Sequence, residues 1–135
     1  MTDLISPTNE ILFRTHELRC KGSGGLKLAS YFPEKLIELR LKFNRKMQVL
    51  SCCRSKAYNQ RIGGTPKSFH IYDDSPWDID GSCAIDIKTP SQSYKEALFK
   101  LAKDLAWSIG IYSNFLHLDR RIDYLKTQPI VFYGK

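Results

Sequence analysis

The chain has 135 residues, 42% of them apolar and 26% charged, with a formal net charge of +7. This length and composition suit one globular domain, and we expect a single, monomeric domain over residues 1–135. No apolar run approaches the roughly 20 residues of a membrane span and no signal peptide is visible, so we expect neither membrane insertion nor export by that route.

Helices and strands alternate along the predicted chain. After an irregular region over residues 1–30, apolar spacing predicts a helix over 33–44 and a buried strand over 47–52. A turn-rich connection over 54–69, opening with a short helix, and a loop over 71–82 lead to a strand over 84–88. A helix over 92–108 ending at Gly110, and strands over 115–119 and 130–133, complete the chain. This order predicts an α+β domain with a small, mostly antiparallel sheet flanked by helices.

The positive charge is concentrated in the first half of the chain. Residues 1–69 hold 13 basic and 5 acidic residues, whereas residues 70–135 hold 8 basic and 9 acidic residues. Nucleic-acid modules usually interleave basic and aromatic residues, and no such pattern, zinc finger or P-loop is present. The charge therefore indicates a solvated basic surface or another polyanion rather than nucleic acid.

Strand alternation brings ionisable side chains to one face of the predicted sheet. Asp86 points away from the apolar face of its strand, as do His117 and Asp119 on theirs, and His70 precedes the loop before the first of these strands. Two imidazoles and a carboxylate can hold zinc with a fourth position open to water. The alternative is two surface histidines and a carboxylate paired with one of two following arginines, Arg120 or Arg121.

Several short motifs occur in the order known from one family of zinc peptidases. They are E-L-R-C at 17–20, S-C-C-R-S at 51–55, Y-N at 58–59, G-G at 63–64, S-F-H at 68–70, A-I-D-I at 84–87 and F-L-H-L-D at 115–119. The chain thereby resembles the M15 peptidases, which are D-Ala-D-Ala carboxypeptidases and phage L-alanyl-D-glutamate endolysins of the hedgehog/DD-peptidase superfamily. The resemblance implies a hedgehog/DD-peptidase-like fold.

The resemblance also implies roles for individual residues. His70, Asp86 and His117 become the ligands of a zinc ion. Arg54 becomes the cation that binds a substrate carboxylate or stabilises the developing oxyanion. Ser68 would hold the substrate or the loop that carries His70.

Two departures from the family pattern bear on these roles. Residues 70 and 86 are sixteen apart where the family usually has about seven, and the extra residues form the loop over 71–82. Many members carry the general base three residues before the last histidine, where this chain has Asn114. Asp119 is the nearest substitute, either as the catalytic base or as a group that orients a ligand.

The function implied by the resemblance is zinc-dependent hydrolysis of stem peptides in bacterial peptidoglycan. The enzyme would be a bacteriophage endolysin or a D-Ala-D-Ala carboxypeptidase. It would stay cytoplasmic until released to the cell wall at host lysis, or be carried on a virion. The alternative is a non-catalytic, zinc-containing wall-binding or virion structural module of the same fold.

Overall fold

A computed structural model describes residues 3–134 of the chain. The helices are α1 (Thr15–Leu18), α2 (Phe32–Phe43), α3 (Lys56–Arg61), α4 (Gln92–Asp104) and α5 (Arg121–Tyr124). The strands are β1 (Leu4–Ile5), β2 (Ile11–Phe13), β3 (Val49–Ser51), β4 (Ala84–Lys88), β5 (Ser108–Ile111), β6 (Phe115–Asp119) and β7 (Val131–Tyr133). The α+β class predicted from the sequence is confirmed.

Five of the strands form one sheet in the order β3-β4-β6-β5-β7. Every neighbouring pair is antiparallel except β5 and β7, which run parallel. Strands β1 and β2 pair with each other in a separate hairpin, within the first 30 residues that the sequence pattern left irregular. The predicted small, mostly antiparallel sheet is therefore confirmed, although the predicted strand over 47–52 shortens to β3.

Strands β4 and β6 divide the sheet into an apolar and a polar face. Ile85, Ile87, Leu116 and Leu118 have no exposed surface and join one hydrophobic cluster with side chains of α2 and α4. Each buried aliphatic side chain stabilises the fold by about 1.5–3 kcal/mol relative to an exposed one. The alternate residues of the same strands consequently point to the opposite face, where the functional groups lie.

Helix α4 ends earlier than the sequence predicted, and the residues after it form β5. The Ala106 N–H bonds to the Lys103 carbonyl and the Trp107 N–H to the Ala102 carbonyl. These two bonds form a Schellman motif, with Ala106 at a φ of 66° where glycine is usual. The predicted helix end at Gly110 is wrong because Gly110 lies inside β5, opposite His117.

The predicted strand over 130–133 is present as β7, one residue shorter. Within residues 3–134, no helix combines the length and apolar character that crossing a membrane requires.

Candidate metal centre

Three of the sequence-predicted side chains converge on the polar face of the sheet. One donor atom from each of His70, Asp86 and His117 lies within 4.8 Å of the other two. Asp86 on β4 is directly opposite His117 on β6. His70 reaches them from outside the sheet, where the Arg54 N–H bonds to its carbonyl at 2.9 Å. The sixteen-residue separation in sequence therefore does not separate the side chains in space.

A hydrogen bond fixes the tautomer of the His70 imidazole and leaves one ring nitrogen without a hydrogen. Its Nδ1 lies 2.7 Å from the Cys52 carbonyl oxygen, which can only accept, so Nδ1–H donates. Burial lowers the pKa of His70 below its ordinary value, despite the nearby Asp86 carboxylate. The neutral ring consequently presents the lone pair of Nε2 to Asp86 Oδ1, 3.1 Å away.

The His117 imidazole lies between two carboxylates. Its Nε2 is 2.8 Å from Asp119 Oδ2 and its Nδ1 is 3.0 Å from Asp86 Oδ1. Burial alone lowers the pKa of His117, but hydrogen bonds with Asp119 and Asp86 raise it to about 9. At neutral pH without a metal, the ring is therefore protonated and donates to both carboxylates.

Both carboxylate oxygens of Asp86 contact other side chains of the site. Oδ1 faces the two imidazoles, and Oδ2 accepts from Arg54 Nη2 at 3.3 Å. Burial on its own raises the pKa of Asp86, but the two imidazoles beside it, of which His117 is protonated and donates to Oδ1, hold it well below its ordinary value. Asp86 is therefore ionised at neutral pH.

This donor set fits a divalent zinc ion. His70 Nε2 and Asp86 Oδ1 face each other at 3.1 Å with lone pairs on both atoms, and a cation between them would remove the repulsion. Ligand atoms of a tetrahedral zinc with bonds of about 2.0–2.1 Å are about 3.3 Å apart. The separations between Asp86 Oδ1 and the two imidazole nitrogens, 3.1 Å and 3.0 Å, are close to this value. The hydrogen bonds of His70 Nδ1 and His117 Nε2 hold each ring by its other nitrogen, as is usual for metal-ligating histidines.

Asp119 is held behind His117 rather than exposed to the cavity. It has no exposed surface. Oδ1 accepts from the backbone N–H and Nε of Arg121, and Oδ2 accepts from Arg121 Nη2 and His117 Nε2. These four contacts occupy the acceptor sites of the carboxylate. Burial alone raises the pKa of Asp119, but His117 and Arg121 lower it to about 2.

Arg54 is anchored at the edge of the same site. Its Nε donates to Ser51 Oγ, its Nη1 to Asn59 Oδ1 and its Nη2 to Asp86 Oδ2. Three of the five guanidinium N–H groups are thus engaged and two remain available. Because Arg54 also lines the cavity in front of the candidate ligands, a substrate group there can reach these donors.

A cavity of about 600 Å³ opens in front of the candidate ligands. Among the described residues that line it, Asp86 is the sole acidic one, whereas the basic ones are Arg54, Lys67 and Arg121. Aromatic side chains form much of the remaining wall: Phe69, Trp77, Tyr112, Phe115 and Phe132. This combination suits a ligand that carries carboxylates and small apolar groups.

Of the other two positions singled out from the sequence, Ser68 and Asn114, one lines the cavity and the other does not. Ser68 is buried, lines the cavity, and accepts the His70 backbone N–H on its Oγ at 3.1 Å. This bond lies within the turn that carries His70. Asn114 is exposed in the turn between β5 and β6 and does not line the cavity.

Three features of the site were missed by the sequence reasoning. The Cys52 carbonyl and the Asn59 amide act on His70 and Arg54 through contacts distant in sequence. Phe132 reaches the site from the last strand. The S-C-C-R-S and Y-N motifs contained Cys52 and Asn59 but did not indicate these contacts, and no sequence pattern marked Phe132.

A comparison with known families assigns the chain to one of them. A family model described as Peptidase M15 matches residues 10–119. The chain belongs to the peptidase M15 family. The matched range contains every candidate ligand and ends at Asp119, before α5 and β7. Comparisons with curated proteins and with solved structures each found no match.

Membership of the M15 family supports a peptidase, and the predicted family resemblance is confirmed. M15 peptidases are usually zinc-dependent, and His70, Asp86 and His117 form a group that could bind such an ion. The individual roles of Arg54, Ser68 and Asp119 stay predictions.

Proposed function

We propose that this M15 protein is a zinc-dependent peptidase that hydrolyses stem peptides of bacterial peptidoglycan, as a phage-type endolysin or a D-Ala-D-Ala carboxypeptidase. The observation that carries the proposal is the convergence of His70, Asp86 and His117 beside a cationic cavity. Zinc bound by these three residues would polarise the scissile carbonyl and lower the pKa of a water molecule to about 7.

The charges of the cavity support an anionic peptide as substrate. Stem peptides of the two kinds considered carry free carboxylates, and the basic lining groups outnumber the single Asp86 carboxylate. Arg54 would use its two remaining N–H donors for a substrate carboxylate or for negative charge developing on the carbonyl oxygen. Ser68 would keep the His70 turn in place through its bond to the His70 N–H.

Of the two roles open to Asp119, its environment favours the orienting one. A general base needs a free acceptor site within reach of the attacking water. Asp119 is fully buried, and His117 and Arg121 occupy both of its oxygens. We infer that Asp119 holds His117 Nε2–H so that Nδ1 stays directed at the metal position.

One observation favours a second candidate, a non-catalytic zinc-containing module that binds the wall or belongs to a virion. The usual base position holds Asn114, which is exposed and outside the cavity, and no lining residue other than Asp86 is acidic. Such a module would bind peptidoglycan without cleaving it. In either function the protein would act at the wall, reaching it at host lysis or on a virion.

The test combines metal analysis with turnover of defined muropeptides. Purified protein should contain about one zinc per chain and should release peptide products from the muropeptides, with mass spectrometry identifying the bond. His117→Ala should lose both properties, whereas His16→Ala, which removes an exposed histidine outside the site, should keep both. Zinc binding without turnover would favour the non-catalytic module, and turnover by metal-free protein would overturn the zinc assignment.

A further inference from the structure

The last strand of the sheet adds a side chain to the site from outside the family-matched range. Strand β7 lies at the sheet edge, parallel to β5, and begins twelve residues after the match ends at residue 119. The strand registers place Asp86, His117, Gly110 and Phe132 in one row across β4, β6, β5 and β7. Phe132 thus occupies the end of the row that contains two candidate ligands.

Gly110 allows the Phe132 ring to approach the His117 ring. A Cβ atom at position 110 would lie 2.6 Å and 2.7 Å from two ring carbons of Phe132, and 3.2 Å from His117 Cβ. The Phe132 ring therefore lies over the glycine, with its centroid 5.9 Å from that of the His117 ring. Both rings line the cavity, whereas the neighbouring Tyr133 does not and is 82% exposed.

We propose that Phe132 is a specificity-determining residue that limits the size of the substrate side chain on the acyl side of the scissile bond. The inference rests on the proposed function, because the scissile carbonyl would lie at the metal position beside His117. In both D-Ala-D-Ala and L-alanyl-D-glutamate bonds, the acyl-side residue is alanine. A flat aromatic wall next to His117 would favour a methyl group over longer side chains at this position.

The experiment measures selectivity rather than activity alone. Synthetic stem-peptide analogues with alanine, valine or leucine on the acyl side of the scissile bond are compared by kcat/KM. Phe132→Ala should lower the alanine-to-leucine ratio about tenfold or more, since even one extra methylene in an apolar pocket is worth about that much and leucine exceeds alanine by three carbons. Phe132→Leu should give an intermediate ratio, and Tyr133→Ala, on the same strand, should leave the ratio unchanged.

A second substitution tests the contact through Gly110. Gly110→Ala should displace the Phe132 ring and alter the ratio several-fold in the wild-type background, and clearly less in the Phe132→Ala background, where only the 3.2 Å contact with His117 Cβ remains. The same effect in both backgrounds would overturn the inferred contact. This comparison also distinguishes a specific wall from general loosening of the sheet.

The outcomes separate this inference from the proposed function. Wild-type protein that cleaves no alanine analogue overturns the proposed function and this inference with it. If wild-type protein cleaves the alanine analogue but zinc-loaded Phe132→Ala keeps the same alanine-to-leucine ratio, this inference alone is overturned. If Phe132→Ala does not fold, an unchanged ratio in Phe132→Leu has the same meaning.

Discussion

Asp86 is the residue on which the candidate site converges. Its Oδ1 lies 3.0 Å and 3.1 Å from one nitrogen of each imidazole, and its Oδ2 accepts from Arg54. Because Arg54 holds one oxygen, the carboxylate keeps a fixed orientation and offers the other oxygen to the metal position. Arg54 can therefore contribute to the site through Asp86 as well as through substrate.

Asp119→Asn distinguishes an orienting group from a catalytic base. If Asp119 orients His117, the substitution should weaken zinc affinity about 10–100-fold, because the hydrogen bond that holds the ring is weakened. Affinity is measured by competition with a chromophoric chelator. Asp123→Asn is the control, since Asp123 pairs with Arg120 rather than with the site. Unchanged zinc affinity together with lost turnover would instead identify Asp119 as the base.

The stability of metal-free protein should depend on the protonation of His117. Hydrogen bonds with Asp119 and Asp86 outweigh burial and raise the pKa of His117 from 6.5 to about 9. The folded state binds this proton more tightly, so the stabilisation is fully present below about pH 6.5 and is lost as pH rises through 9. A pKa difference of this size corresponds to about 3 kcal/mol.

Urea unfolding of chelator-treated protein checks this pH dependence. Between pH 6.5 and 9, wild-type protein should lose clearly more free energy of unfolding than His117→Gln, in which no imidazole titrates between the carboxylates. The comparison with His117→Gln removes contributions from other groups that titrate in this range. Equal losses in the two proteins would contradict the assigned protonation of His117.

At the scale of elements, the loop over residues 71–82 is tied to the site by a stack of side chains. The Trp77 ring lies parallel to that of Phe69, with centroids 5.0 Å apart, and its Nε1 donates to the Lys67 carbonyl. The Arg121 guanidinium covers the Phe69 ring at 4.5 Å while it holds Asp119. The insertion therefore continues the packing around His117 and forms part of the cavity wall.

Trp77→Ala should lower the free energy of unfolding by about 1–3 kcal/mol. The substitution removes an aromatic pair worth about 0.5–1.5 kcal/mol and a hydrogen bond worth about 1 kcal/mol. Trp77→Phe, which retains a stacking ring, should lose about half as much. Urea unfolding can be followed by the fluorescence of Trp107, which is buried in the core. Tyr133→Ala, which removes an exposed aromatic side chain, is the control. If Trp77→Ala loses no more free energy of unfolding than this control, the stacked rings do not stabilise the fold.

At the scale of the whole molecule, basic residues that contribute to the net charge of +7 cluster at the end of α2. Residues 39–46 contain four basic residues and no acidic one: Arg40, Lys42, Arg45 and Lys46. None of them lines the cavity beside the candidate ligands. Under the proposed function, this arrangement suits long-range attraction to an anionic cell wall rather than contact with the scissile bond.

Replacing Lys42 and Lys46 with glutamate should weaken binding to purified anionic cell walls, and added salt should weaken wild-type binding similarly. The control replaces Lys100 and Lys103, two exposed lysines on α4 beside Asp104, with glutamate, which changes the net charge by the same amount. This control should weaken wall binding less. Pelleting with walls measures binding, and hydrolysis of a small soluble muropeptide should stay unchanged in both variants. Equal weakening by the two reversals would assign the effect to net charge alone.

Much of the fold was predictable because local patterns and final packing agree. Apolar alternation marked β4 and β6, and helical spacing marked α2 and most of α4. The boundary between α4 and β5 was not predictable, since Ala106 occupies the left-handed turn position where glycine is the usual marker. Strand β5 is defined by its pairing with β6 and β7 rather than by a local pattern.

The family, the α+β class and the side chains available for a metal could be predicted from the sequence, because these depend on residue types, order and short-range periodicity. The tertiary structure was needed to assign the atoms that face the metal position, since that depends on His70 donating to Cys52 and His117 donating to Asp119. It also decided that Asp119 is enclosed by Arg121 and that Phe132 reaches the site across Gly110. These contacts join strands and turns distant in the chain, and packing of the whole sheet brings them together.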